Sequence, residues 1–245
     1  MHAQRTGRVG SARNGKLEQS RSLRVHADSV WSVNDQGNGF RSGYIKEYLD
    51  FDLVAGKRVL DFGCGRLSDV MGMCLTFGAG SYTGIDISEL PLKMNARDLW
   101  AIRGEGNTPE AAKNVTASFV QANGCELPFK DGSFEIVFAL DALQLFGPYA
   151  PLAVDEIARV SARGATISVT LGLSTNMKLL QRMGIGCEPL EFGYGAHLPE
   201  MDGESPYTLF MTTPAKANRM MERSGISPYF TDIQGERLYI EGVRP

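Results

Sequence analysis

The stretch "VLDFGCGRLSDV", residues 59–70, constrains the fold more than any other part of the chain. An apolar run ends in Asp61, a turn follows with a glycine on each side of Cys64, and then Val70, Cys74 and Phe77 fall at helical spacing. Glycines at 63 and 65 mean that the backbone bends sharply there or admits a close neighbour. A carboxylate at the end of a buried strand needs a partner. The same alternation recurs downstream. "SYTGIDIS" reads as a strand ending at Asp86, and Ser88 caps a helix with Leu92, Ala96 and Leu99 on one side. "SFVQANG", "FEIVFAL" and "ATISVTLGL" read as three more strands, with a helix carrying Ile157 and Val160 before the last. Strand and helix in turn predict an α/β fold built on a doubly wound, mainly parallel sheet.

Later, the rhythm breaks. Residues 174–213, rich in Gly, Pro, Met and aromatics, read as an irregular insert over the sheet and a candidate substrate lid. "TPAKANRMMERSG" follows as a helix with proline early and Gly225 at its end, and "SPYFTDI" with "RLYIEGV" predicts a C-terminal antiparallel hairpin. "GEGNTPEAAKNVTA" reads as a polar connection, and near the start Tyr44, Ile45, Tyr48 and Leu49 share a helical face.

Charge divides the chain unevenly. Residues 1–24 hold six Arg/Lys against one acid, so the formal net charge of −3 leaves −8 on the remainder. Residues 1–24 are expected to form a basic, mobile tail, and residues 25–245 one domain. An acidic body does not suit a phosphate backbone, so nucleic acid is not the expected partner. No apolar run reaches the roughly 20 residues needed to span a bilayer, and no membrane partner is expected. Four cysteines without CxxC spacing indicate neither a zinc site nor a disulfide framework, so no metal is expected and a reducing, cytoplasmic setting fits. Oligomeric state is not legible.

Ligands of a doubly wound sheet bind at the carboxyl ends of its strands. Three polar signals fall there: Asp61 with Gly63 and Gly65, Asp86, and Asn123. Asp86 suits two ribose hydroxyls, Asn123 the polar edge of an adenine, and Asp61 a cationic group. Each also has a plainer reading, as a turn-capping, helix-capping or strand-capping residue. A dinucleotide fingerprint needs a third glycine where Ser68 stands, which disfavours a nicotinamide oxidoreductase. No phosphate-binding G-x-x-x-x-G-K-[ST] loop occurs. A carboxylate just before the turn would repel a pyrophosphate and suits an ammonium or sulfonium.

"VLDFGCG", "YTGIDIS" and "QANGCELPFKDGSFEIVFALDAL" together resemble, in order and spacing over residues 57–172, the class I S-adenosylmethionine-dependent methyltransferases. The resemblance implies a Rossmann-like fold, S-adenosylmethionine as cofactor and in-line methyl transfer to a small-molecule acceptor at O, N or C. A non-catalytic module that keeps the pocket is the alternative. Carried over, it implies that Asp61, Gly63, Cys64 and Gly65 line the methionine part. Asp86 would hold the ribose, with Ile87 against the adenine. Asn123 and the Gly124 N–H would read the adenine edge, and the backbone of Ala139 and Leu140 would face the amino group. The chain departs from the family's pattern at Leu67, often glycine, at Asn123, more commonly aspartate, and at Leu145, often histidine. Two residues are catalytic candidates. His197, in the insert, either takes a proton from an acceptor hydroxyl or is an ordinary loop histidine. Asp141 either orients substrate or caps the following helix. Arg41 and Tyr44 are candidates to close the pocket. The N-P-P-Y-type motif of base-amino methylases is absent after the fourth strand, where "ALDA" stands.

Overall fold

The computed structural model describes residues 51–66, 69–104, 110–198 and 207–245. The basic tail, the Tyr44–Leu49 face, Arg41, Leu67 and Ser68 lie outside the described residues. After a 3-10 turn at Phe51–Val54 the chain forms β1 (Arg58–Phe62), α1 (Asp69–Phe77), β2 (Ser81–Asp86), α2 (Glu89–Gly104), α3 (Glu110–Asn114), β3 (Thr116–Gln121) and β4 (Phe134–Ala139). Then come a 3-10 segment at Leu143–Tyr149, α4 (Ala150–Val160), β5 (Ser161–Leu173) and α5 (Met177–Arg182). The chain ends with β6 (Gly186–Leu190), β7 (Gly193–Leu198), β8 (Tyr207–Thr212), α6 (Pro214–Arg223), β9 (Ser227–Gln234) and β10 (Arg237–Val243).

Strands β3, β2, β1, β4 and β5 lie side by side in that order, all parallel, so chain progression reverses between β1 and β4. β10 inserts antiparallel against the far edge of β5, and β9 closes that side as the expected hairpin. The glycines punctuate as anticipated: Gly78 and Gly225, both at positive φ, end α1 and α6. Thr213 accepts the Lys216 N–H and caps α6, with Pro214 in its first turn.

Alternation along the strands builds two core layers. Leu60, Phe62, Ile85, Val137, Ala139, Val169 and Leu171 face α4 and α6, whose Val154, Ile157, Met220 and Met221 are fully buried. Val59, Tyr82, Ile136 and Phe138 point to the other side, against Val70 and Cys74 of α1 and Ala112 of α3. Arg159 ties α4 to the "LPF" loop: its guanidinium donates to the Leu127 and Phe129 carbonyls and meets Glu156 and Asp131.

Two expectations are corrected. The polar connection before β3 contains the short helix α3, whose first turn carries the acidic Glu110. The irregular insert is not irregular: residues 186–198 and 207–212 form three antiparallel strands that join the sheet in the order β5-β8-β7-β6. Their location follows from the pairing. Val169 of β5 has Ala139 of β4 on one edge and Ile240 of β10 on the other. Three residues on, Gly172 keeps β10 through Arg237 but exchanges β4 for Met211 of β8. The three-stranded unit therefore begins where β4 stops, at the carboxyl end of the sheet.

Candidate functional site

Asp61 is the penultimate residue of β1, which is buried from Val59 onward, and its carboxylate accepts a hydrogen bond from the Tyr82 hydroxyl at 2.8 Å. Tyr82 sits on the neighbouring strand with its ring fully buried, so the phenol supplies the partner that a buried carboxylate requires. Gly63 and Gly65 both adopt positive φ, 68° and 53°, and turn the chain away from the sheet. Gly63 also needs its missing side chain, because a Cβ there would lie 2.5 Å from the Ala142 methyl.

Asp86 closes this turn from the next strand. Its two carboxylate oxygens accept the Gly65 N–H at 3.1 Å and the Ser88 N–H at 2.9 Å. From α2, the buried Asn95 donates to the Gly65 carbonyl at 2.6 Å. The Cys64 N–H bonds the Ile85 carbonyl. The glycine turn is thus held at each residue from 64 to 65 by groups on β2 and α2. The Cys64 thiol is raised well above its ordinary pKa, first by burial and then by the negative charges of Asp61 and Asp86. That rules against a reactive thiolate.

At the end of β3, the Asn123 side-chain oxygen accepts the Cys125 N–H at 3.0 Å and makes a local turn that also joins the Glu126 N–H to the Asn123 carbonyl. The neighbouring Gly124 is buried at a crowded point: a Cβ there would overlap the Phe62 ring and lie 2.7 Å from Phe146. Phe62 and Phe146 pack with ring centroids 5.5 Å apart. Ile87 is half-buried, and its carbonyl accepts from Gln121. Ala139 is buried in the core and Leu140 half-buried beside Phe138. Asp61, Gly63, Cys64, Gly65, Asp86 and Ile87 are therefore linked around one turn at the switch point. Gly124 meets that group through Phe62, and Ala139 and Leu140 approach it through Ala142.

The two catalytic candidates are not brought together. Asp141 lies two residues beyond β4; its carboxylate meets the Arg237 Nε at 3.0 Å and the Thr170 hydroxyl at 3.3 Å. Thr170 and Arg237 share the face of the sheet that carries Asp61 and Tyr82, as strand alternation requires. His197 lies on β7 opposite Thr208, which it meets at 3.0 Å, with Glu188 at 3.5 Å. Thr208 shares a face with Thr212, which pairs with Leu173, so His197 belongs to the opposite face of the sheet. It is exposed. Tyr82, Asn95, Thr170 and Arg237 escaped the sequence reading. Only Asn95 left a local signal, as a polar residue on the Leu92–Leu99 face of its helix.

A model of a methyltransferase domain matches residues 60–169. Among curated proteins, the phthiotriol/phenolphthiotriol dimycocerosates methyltransferase 1 of Mycobacterium ulcerans is 28% identical over 143 residues, 58% of this chain and 48% of that protein. The fatty-acid O-methyltransferase of Mycolicibacterium smegmatis is 30% identical over 112 residues, 45% of this chain and 35% of that protein. The 27-O-demethylrifamycin SV methyltransferase of Amycolatopsis mediterranei is 28% identical over 158 residues, 60% and 54% of the two chains. The chain spans about a third to a half of the length of these relatives. In fold, it is similar to a methyltransferase of Methanosarcina mazei described as SAM-dependent, with a TM-score of 0.59 at 19% identity, covering 82% of this chain and 96% of that one. It is likewise similar to the Burkholderia thailandensis 1,6-didemethyltoxoflavin-N1-methyltransferase solved with its substrate and S-adenosylhomocysteine, with a TM-score of 0.60 at 15% identity, covering 100% and 93% of the two chains.

Proposed function

We propose that this chain is a class I S-adenosylmethionine-dependent methyltransferase that transfers a methyl group to an oxygen of a small, largely apolar acceptor. The observation that carries the cofactor reading is the convergence of two carboxylates, Asp61 and Asp86, on a turn of left-handed glycines at the switch point of the sheet. When bound, S-adenosylmethionine supplies a methyl group already activated on a positively charged sulfur. The residues present fit it. Negative potential at the turn favours a sulfonium, and Gly63 and Gly65 let backbone approach the methionine portion. A carboxylate offers about four acceptor sites, so at Asp86 the two amide bonds are compatible with ribose hydroxyls. Asn123 and Gly124 would border the adenine, and Ile87 would cover one side of it. Reduced cysteines, all four of which are free, suit a cytoplasmic setting.

Acceptor chemistry is supported by two features. Relatives are named for a fatty acid, dimycocerosates and a rifamycin, two of them for methylation at oxygen. In this chain, one face of the β6–β8 unit carries Cys187, Tyr194, Ala196, Leu198, Leu209 and Met211, on the side of the sheet that holds Asp61, with the Lys216 ammonium over the Tyr194 ring at 4.5 Å. We assign this unit the role of acceptor cover. His197 stands on its other face, so the proposed chemistry rests on alignment and exclusion of water rather than on this histidine as a base. Among the described residues no helix is long and apolar enough to cross a membrane. The test is incubation with methyl-labelled S-adenosylmethionine and a panel of hydroxyl-bearing lipophilic acceptors and their polar counterparts. Label transfer confined to the lipophilic members is expected; transfer only to polar amines or to nucleic acid would overturn the assignment.

A further inference from the structure

Among the described residues, Asp141 is the one non-glycine residue at positive φ, 56°. That conformation is disfavoured for a side chain and persists where surroundings impose it. The surroundings here are specific. Thr170 on β5 accepts the Asp141 N–H at 2.5 Å through its hydroxyl, which also lies 3.3 Å from Oδ1. Arg237 brings its Nε within 3.0 Å of the same oxygen. Asp141 is nine-tenths buried in this pair and Arg237 about three-quarters. Arg237 is itself fixed: it opens β10, pairs with Gly172 and Gln234, and follows Glu236, whose carbonyl accepts the Leu173 N–H. The consequence of the twist lies one residue on. Leaving Asp141 in a left-handed turn, the chain seats the Ala142 methyl against Gly63, where even one added carbon would approach to 2.5 Å.

We propose that Arg237 is a positioning residue for the cofactor site: through Asp141 it holds the turn after β4 in a left-handed conformation, and so keeps Ala142 in contact with the glycine turn that would face the methionine moiety. This deepens the proposed function and rests on it for the ligand. The role is geometric, with no proton transferred by either side chain. Glycine adopts the same φ without an anchor, so once residue 141 is glycine, Arg237 should matter little.

The experiment compares wild type, Arg237→Gln, Asp141→Gly and the double variant by two readouts. The first is amide hydrogen exchange of the unliganded proteins. Arg237→Gln should speed exchange about fivefold or more in peptides covering 61–66 and 140–146 while leaving β2 and β3 unchanged. Adding Arg237→Gln to Asp141→Gly should change those peptides less than twofold. The second is S-adenosylhomocysteine affinity by calorimetry. Arg237→Gln alone should weaken it about five- to tenfold, and in the Asp141→Gly background by less than twofold. Equal effects of Arg237→Gln in both backgrounds, a uniform rise in exchange across the sheet, or wild-type exchange in the single variant would each overturn the proposal. Wild-type protein that binds neither S-adenosylmethionine nor its product would overturn the reading of function, and exchange would still decide the role of Arg237.

Discussion

Removing the Asp86 carboxylate should damage stability and ligand binding together, by amounts the structure sets. Asp86 accepts the Gly65 N–H at 3.1 Å and the Ser88 N–H at 2.9 Å, and Ser88 is fully buried just before α2. A hydrogen bond to a charged acceptor contributes about 1.5–3 kcal/mol. Asp86 is only half-buried, which puts each bond at the low end of that range. Asp86→Ala should therefore lower unfolding stability by about 2–4 kcal/mol. Asp86→Asn keeps one carbonyl oxygen and loses the charge, and should cost roughly half as much. The Gly65 turn, released from β2, should also bind S-adenosylhomocysteine at least tenfold more weakly, about 1.4 kcal/mol. Urea denaturation gives the first quantity and isothermal calorimetry the second. Asp86→Ala within about 0.5 kcal/mol of wild type, with undiminished affinity, would refute the claim that this carboxylate organises the turn.

Other consequences can be measured as directly. Tyr82→Phe removes the donor to a buried carboxylate and should destabilise the fold by about 1–3 kcal/mol in chemical denaturation; a neutral result would show that Asp61 does not depend on it. Gly124→Ala forces a methyl into the Phe62 and Phe146 rings, so a loss of about 1–3 kcal/mol is expected, visible as a lower thermal midpoint. Burial and the neighbouring carboxylates raise the Cys64 thiol, and burial with Asp61 raises Cys74. Both stay protonated at neutral pH, so a thiol reagent on native protein should label the half-exposed Cys187 first; rapid labelling at Cys64 would contradict this. The Tyr229 phenol is pushed up to about 12, by burial and by Glu241, to which its hydroxyl donates at 3.1 Å. A raised folded pKa stabilises the protonated form, so that contribution is complete below about pH 10 and fades as pH rises toward 12. Tyr229→Phe should therefore flatten the alkaline loss of stability, and an unchanged profile between pH 10 and 12 would exclude this tyrosine as its source.

The parallel core was legible because each strand end wears its chemistry in adjacent residues. Asp61 with Gly63, Asp86 before Ser88, and Asn123 beside Gly124 announce a turn, a cap and a close approach within a few positions. Residues that act across the sheet leave no such mark. Tyr82 reads as an ordinary strand aromatic until β2 is placed beside β1, and Arg237 lies 96 positions beyond the Asp141 it anchors. The β6–β8 unit was hidden for a different reason. Gly193, Gly195 and Pro189 weaken any strand pattern, yet here the glycines answer to packing. Side chains at 193 and 195 would meet the Met211 carbonyl and, at 2.8 Å, the Thr208 methyl. Glycine read as loop was glycine required for strands to lie close.

Asp61 and Asp86 are proposed to make the glycine turn a seat for a positively charged sulfur. Calorimetry of wild type and Asp61→Asn with S-adenosylmethionine and with its uncharged-sulfur product tests it most directly. Two unit charges at contact distance attract by about 1 kcal/mol in water-like surroundings and more where water is excluded. Asp61→Asn should therefore weaken S-adenosylmethionine at least about fivefold more than S-adenosylhomocysteine. Equal losses for the two ligands, or tighter relative binding of the charged one, would contradict it.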